Sequence, residues 1–108
     1  MTATGRHLLF LPYPAYGHMM PVLPVLAELV GRGHRVTCFA TGDFAERVCA
    51  TGAETHPYEP PPPTDPPPEV IDADECARAP LKLLKASLAV LPTIEARLDG
   101  LPDAVVYD

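Results

Sequence analysis

The chain has 108 residues, of which 47% are hydrophobic, and its formal net charge is −6. This length and composition predict one small globular domain and exclude wholesale disorder, and the negative charge disfavours nucleic acid or an anionic membrane as a partner. There is no apolar run near the roughly 20 residues that span a bilayer, no signal-peptide pattern and no CxxC among the three cysteines, so we expect a reduced, cytoplasmic protein with buried thiols and no metal site.

The chain begins with a predicted strand and a predicted helix. Residues 7–11 form a continuous apolar run, which is typical of a parallel strand covered on both faces. Apolar residues then recur at helical spacing from Val22 to Val30 and predict an amphipathic helix. Because Pro21 and Pro24 have no backbone N–H, we expect regular hydrogen bonding in this helix to begin near Val22.

The same pattern then repeats. Residues 35–40 predict a second strand and residues 53–58 a third. Between them, Asp43 and Glu46 have the spacing of a capping box at the start of a short helix. Strands that alternate with helices in this way predict a parallel sheet with right-handed crossovers.

A proline-rich loop, predicted over residues 59–76, interrupts the alternation. Fifteen prolines occur in the chain, and their concentration here excludes a helix or an inner strand. The loop is open to three interpretations: a tolerated surface insertion, a docking peptide of the SH3- or WW-binding type, or a wall of a substrate entrance. Beyond it, apolar residues at helical spacing over 77–98 predict a helix that Pro92 should kink or split, and residues 103–108 predict a fourth strand.

This order of elements predicts a Rossmann-like, doubly wound α/β sheet. In such a sheet the strand order is 3-2-1-4, with a crevice between strands 1 and 4. His18 follows strand 1 and Asp108 ends strand 4, so the two side chains are expected to converge at the carboxyl edge, where α/β proteins bind ligands. Neither G-x-G-x-x-G nor a P-loop motif is present, which disfavours the usual dinucleotide and P-loop phosphate sites.

Four segments in succession carry a family resemblance. They are "GHMMP" after strand 1, "LVGRGHRVT" at the helix–strand junction, "FAERVCATGAE" before strand 3 and "LPDAVVYD" at the fourth strand. Together they resemble the opening of family 1 glycosyltransferases of the GT-B fold, in particular bacterial macrolide and antibiotic glycosyltransferases. The resemblance implies that residues 1–108 are an incomplete N-terminal, acceptor-binding domain, and that a C-terminal donor-binding domain is absent.

The resemblance also implies a reaction and a set of site residues. The reaction is the inverting transfer of a sugar from a UDP- or dTDP-linked donor to a hydroxyl of a hydrophobic natural product. His18 would be the general base and Asp108 the acid that orients it, which suits an imidazole because it titrates near neutral pH. Tyr13, Tyr16 and Met20 are the candidates for lining the acceptor pocket, because a large apolar acceptor favours aromatic and thioether surface. No cofactor or metal is expected, and the full-length protein is a candidate homodimer.

Two other functions stay open at this point. The parent protein could be a non-catalytic module that binds a hydrophobic small molecule, or an interaction protein that recruits a partner through the proline-rich loop. We further expect residues 69–84 to cover the acceptor pocket, the 108-residue chain alone to be inactive, and the loop over 60–68 to be mobile.

Overall fold

The computed structural model describes residues 5–59 and 72–108. Within these ranges the elements in chain order are β1 (His7–Leu11), α1 (Tyr16–Gly31), β2 (Arg35–Thr41), α2 (Gly42–Cys49), β3 (Glu54–Tyr58), α3 (Ala73–Arg97) and β4 (Ala104–Tyr107). The chain forms two compact units, one made of Met1–Glu59 and Leu98–Asp108 and the other of Pro60–Arg97. Residues 60–71 of the predicted proline-rich loop lie outside the described residues, and α3 begins at Ala73, earlier than the predicted end of that loop.

The first unit is a four-stranded parallel sheet in the order β3-β2-β1-β4. This confirms the predicted fold class and strand order. Strands β2 and β1 are the two inner strands, and every residue of β2 after Arg35 is buried. These buried residues are apolar except for Thr37 and Thr41, as expected of an inner parallel strand that has little contact with solvent.

The core of this unit lies where α1 and α2 pack against the sheet. Met19 and Leu26 of α1 and Val48 of α2 have no exposed surface. They pack with Phe10 of β1 and Cys38 of β2 in one cluster. The buried side of α1 therefore fixes the rotation of the helix about its axis, and with it the side on which His18 lies.

Both helices of the first unit begin earlier than the sequence predicts. Helix α1 begins at Tyr16 and contains Pro21 and Pro24 in its interior. Each proline removes only one backbone donor, and the bonds on either side maintain the helix. Helix α2 begins at Gly42 after the N-cap Thr41, without a side-chain cap hydrogen bond, so the predicted capping box at Asp43 is wrong.

An amino-edge network of polar side chains ties the starts of three strands together. Arg35 of β2 donates hydrogen bonds from Nε and Nη2 to the Glu54 carboxylate of β3, at 2.7 and 3.2 Å, and from Nη2 to Asp99 at 2.7 Å. The Thr37 hydroxyl donates to Glu54 at 3.0 Å, and His7 Nε2 of β1 lies 2.8 Å from the same hydroxyl. The guanidinium lowers the pKa of both carboxyl groups through these hydrogen bonds, so the network depends on their ionisation.

The described part of the second unit consists of α3. It is one continuous helix with Pro80 and Pro92 in its interior, so a split at Pro92 is wrong, and a kink there stays a prediction. One missing donor is again insufficient to end a helix of 25 residues. The leucines of its apolar stripe are exposed, namely Leu81, Leu84, Leu88 and Leu91.

The described helices and cysteines bear on two further expectations. None of the described helices has the length and hydropathy required to cross a membrane. The thiol of Cys38 is buried, and burial raises its pKa to about 12. Cys49 and Cys76 are exposed, so the prediction of buried thiols holds for Cys38 alone.

Candidate active site

The candidate active site lies at the carboxyl edge of the sheet, where β1 and β4 end side by side. The two strands pair in parallel, and Leu11 at the end of β1 is in register with Tyr107 at the end of β4. Helix α1 begins five residues after Leu11, which places His18 in its first turn. Asp108 directly follows Tyr107. The topology thus brings together two residues that are 90 positions apart in the sequence.

His18 and Asp108 are in direct contact. The Nδ1 atom of His18 and the Oδ2 atom of Asp108 form a hydrogen bond, and each side chain is about half exposed, at 49% and 47%. A carboxylate can only accept, so this contact favours the tautomer in which Nδ1 carries the proton. The Nε2 atom then has its lone pair available to a ligand. The convergence expected from the strand order is present, and the catalytic roles of the two residues stay predictions.

Tyr13 contacts the histidine. The two rings meet edge to face, with centroids 5.1 Å apart and an interplanar angle of 73°. Tyr13 belongs to the short loop between β1 and α1 and is 39% exposed. Its ring therefore restricts how the imidazole can tilt and leaves part of its own surface open to solvent.

Tyr16 and Met20 form a second cluster with Arg47 of α2. The Arg47 guanidinium carbon lies 5.5 Å from the centroid of the Tyr16 ring, and its Nη1 donates to the Met20 sulfur at 3.3 Å. Tyr16 is 62% exposed. The three predicted acceptor-lining residues are thus divided between two clusters, with Tyr13 on the histidine and Tyr16 and Met20 on the arginine.

Sequence reasoning missed Arg47. It lies in the last turn of α2, and its place beside Tyr16 and Met20 depends on how α1 and α2 pack, for which the sequence carries no local signal. The described residues contain no cluster of three or more His, Cys, Asp or Glu side chains suited to a metal ion. The absence of a cofactor stays a prediction, as does the expectation that residues 69–84 cover the acceptor.

This parallel four-stranded sheet matches the N-terminal part of glycosyltransferases of the GT-B class, and comparison with known proteins confirms the resemblance. No family model matches the chain. Solved structures do match: the calicheamicin glycosyltransferase CalG4 superposes with a TM-score of 0.72 at 35% identity over 96% of this chain. The glycosyltransferase of kitacinnamycin gives a TM-score of 0.76 at 33% identity over 97% of this chain.

Curated relatives give the same result at the level of sequence. The NDP-glycosyltransferase YjiC of Bacillus subtilis is 39% identical over 94% of this chain, and the oleandomycin glycosyltransferase of Streptomyces antibioticus is 35% identical over 97% of it. The chain is thus homologous to NDP-glycosyltransferases and antibiotic glycosyltransferases, as its motifs predict. It spans about a quarter of the length of these relatives, 26% and 25%.

Proposed function

We propose that this chain is the N-terminal, acceptor-binding part of an inverting glycosyltransferase. The enzyme would transfer a sugar from a UDP- or dTDP-linked donor to a hydroxyl of a hydrophobic natural product of macrolide or polyketide type. The hydrogen bond between His18 and Asp108 carries this proposal, because it supplies an oriented base at the edge where α/β proteins bind ligands. Relatives that are named as glycosyltransferases of antibiotics support the substrate class.

The arrangement suggests the following reaction. His18 Nε2 accepts the proton of the acceptor hydroxyl while the hydroxyl oxygen forms a bond to the anomeric carbon of the sugar. The bond from that carbon to the diphosphate oxygen breaks, and the nucleoside diphosphate leaves with the electron pair. Asp108 keeps Nδ1 protonated and stabilises the imidazolium, as a carboxylate does in hydrolase triads. The imidazolium afterwards loses its proton to solvent.

The direction of attack sets the stereochemistry. A base that activates the acceptor on the face opposite the leaving group gives one displacement, and one displacement inverts the anomeric centre. The test uses the full-length protein with an α-linked UDP- or dTDP-sugar and a phenolic acceptor. We expect a β-linked product, identified by mass spectrometry and by the NMR coupling constant of the anomeric proton. An α-linked product would contradict the inverting mechanism.

The same assay separates the enzyme from a binding module. A module that holds the acceptor without transfer would bind it in a calorimeter and release no nucleoside diphosphate. Deletion of residues 60–68 tests whether the proline-rich loop recruits a partner protein. If it does, the deletion should abolish the complex with that partner while sugar transfer continues.

We also propose that a separate, C-terminal domain binds the donor. The chain spans 26% of the length of YjiC, and Rossmann-like phosphate motifs are absent from it. The 108 residues alone should therefore transfer no sugar, because positioning of both substrates supplies much of the rate. Sugar transfer by the isolated chain above the level of its His18→Ala variant would contradict this proposal.

A further inference from the structure

Arg47 is the centre of a cluster that the proposed reaction does not use. Its guanidinium lies against the Tyr16 ring and contacts the Met20 sulfur, at 5.5 and 3.3 Å. Tyr16 and Met20 are four residues apart, so they lie one above the other on the same side of α1. The cluster is therefore an aromatic ring, a thioether and a cation on a partly exposed surface.

The positive charge of Arg47 is not neutralised within the described residues. No carboxylate there forms an ion pair with it, whereas Arg32 pairs with Glu28 at 2.9 Å and Arg35 with Glu54 at 2.7 Å. A guanidinium has five N–H donors, and the contact with Met20 uses one of them on a weak acceptor. The other donors remain available to an oxygen atom of a ligand that rests on the apolar surface beside them.

The geometry of α1 sets a minimum length for a ligand that contacts both His18 and Arg47. Tyr16 and His18 are two residues apart, so their positions differ by about 200° of rotation about the helix axis. They consequently lie on nearly opposite sides of the first turn of α1, and a helix with its side chains is about 10–12 Å across. A ligand that reaches both His18 and Arg47 must extend across that turn, as a compound of several fused or linked rings does.

We infer that Arg47 is a specificity-determining residue that selects extended acceptors with a carboxylate or carbonyl oxygen at the end remote from the reacting hydroxyl. This inference rests on the proposed acceptor-binding role of the chain. Arg47 holds the Tyr16 ring and the Met20 side chain as the apolar surface for the remote end of the acceptor. Its free donors bind the remote oxygen by charge-assisted hydrogen bonds. It takes no part in the proton transfer at His18.

The experiment measures binding of two rigid probes to the full-length protein by calorimetry, without any donor. The probes are 4-hydroxybiphenyl and 4′-hydroxybiphenyl-4-carboxylic acid, which differ only in the remote carboxylate. We expect the unmodified protein to prefer the carboxylate by about three- to tenfold, the range for a charged hydrogen bond at a partly exposed site. Arg47→Met should abolish this preference, and Arg47→Lys should keep part of it because a lysine retains the charge without the planar fork.

A matched control and a length control make the result specific. Arg32→Met removes an exposed arginine of the same unit that already has a carboxylate partner, and it should leave the preference unchanged. A shorter probe, 4-hydroxybenzoic acid, should bind equally to the unmodified protein and to Arg47→Met, because it cannot span the helix.

Three results would overturn the inference. They are an unchanged preference in Arg47→Met, an equal loss in Arg32→Met, and the absence of binding of either biphenyl probe to the unmodified protein. Since no sugar is transferred in this measurement, its outcome is independent of the glycosyltransferase reaction. A protein that shows the preference and yet transfers no sugar would support the role of Arg47 and contradict the proposed function.

Discussion

Removal of His18 and Asp108, separately and together, tests whether they act as one catalytic unit. His18→Ala deletes the base, and general-base catalysis contributes about 10²- to 10⁴-fold, so kcat of the full-length protein should fall by that factor. Asp108→Asn keeps the shape of the side chain and removes its charge. A hydrogen bond to a charged group contributes about 1.5–3 kcal/mol, which corresponds to about 10- to 150-fold in rate. Because both side chains are about half exposed, we expect the lower part of that range.

The double variant distinguishes a unit from two independent residues. Once His18 is absent, Asp108 has no imidazole to orient, and the double variant should be scarcely slower than His18→Ala alone. The assay follows release of nucleoside diphosphate at saturating donor, and donor affinity is measured separately by calorimetry. Donor affinity should be unchanged in all three variants, because the base acts on the acceptor.

Asp103→Asn is the matched control for the aspartate. Asp103 directly precedes β4, and Asp108 directly follows it. The Oδ2 atom of Asp103 accepts a hydrogen bond of 2.7 Å from the backbone N–H of His7. Its replacement should lower the thermal midpoint and leave kcat unchanged. Losses that multiply in the double variant of His18 and Asp108 would show that the two residues act separately, and the proposed mechanism would then be wrong.

Three further predictions concern stability and reactivity in the full-length protein. The folded-state pKa of Glu54 lies below its ordinary value of 4.5. The ionised carboxylate therefore stabilises the fold above pH 4.5, and this contribution is lost as the pH falls through the folded-state pKa. Glu54→Gln should flatten the loss of thermal stability between about pH 5 and pH 3. Burial raises the pKa of Cys38 to about 12. Iodoacetamide at neutral pH should therefore alkylate the exposed Cys49 and Cys76 and reach Cys38 only after denaturation, which peptide mass mapping would show. Labelling of Cys38 in the folded protein would contradict its burial. Gly52 has φ of +93° and a Cβ there would lie 3.0 Å from Val30, so Gly52→Ala should destabilise by about 1–2 kcal/mol in thermal unfolding, while Gly31→Ala, which meets nothing within 4 Å, should not.

The amino-acid pattern alone determines the fold class of this protein. Strands that alternate with helical stripes predict a parallel sheet with right-handed crossovers, and a doubly wound sheet of this kind has the strand order 3-2-1-4. That arrangement also predicts that His18 and Asp108 converge, since the first and fourth strands are neighbours in it. The spacing of apolar residues along the chain indicates which side of each helix or strand is buried, and this is sufficient to predict how helices and sheet pack in layers.

Tertiary structure decided where the helices begin and which side chains lie together at the candidate site, because the spacing of apolar residues does not specify either. Helix α1 begins earlier than predicted, because a proline inside a packed helix costs one hydrogen bond and the surrounding contacts compensate for it. The division of Tyr13 from Tyr16 and Met20 follows from the rotation of α1 that buries Met19 and Leu26. Arg47 joins Tyr16 only through the packing of α2 beside α1. The contact between Arg47 and Met20 links residues that are 27 positions apart, and the free energy that selects it belongs to the packed core and has no local sequence signal.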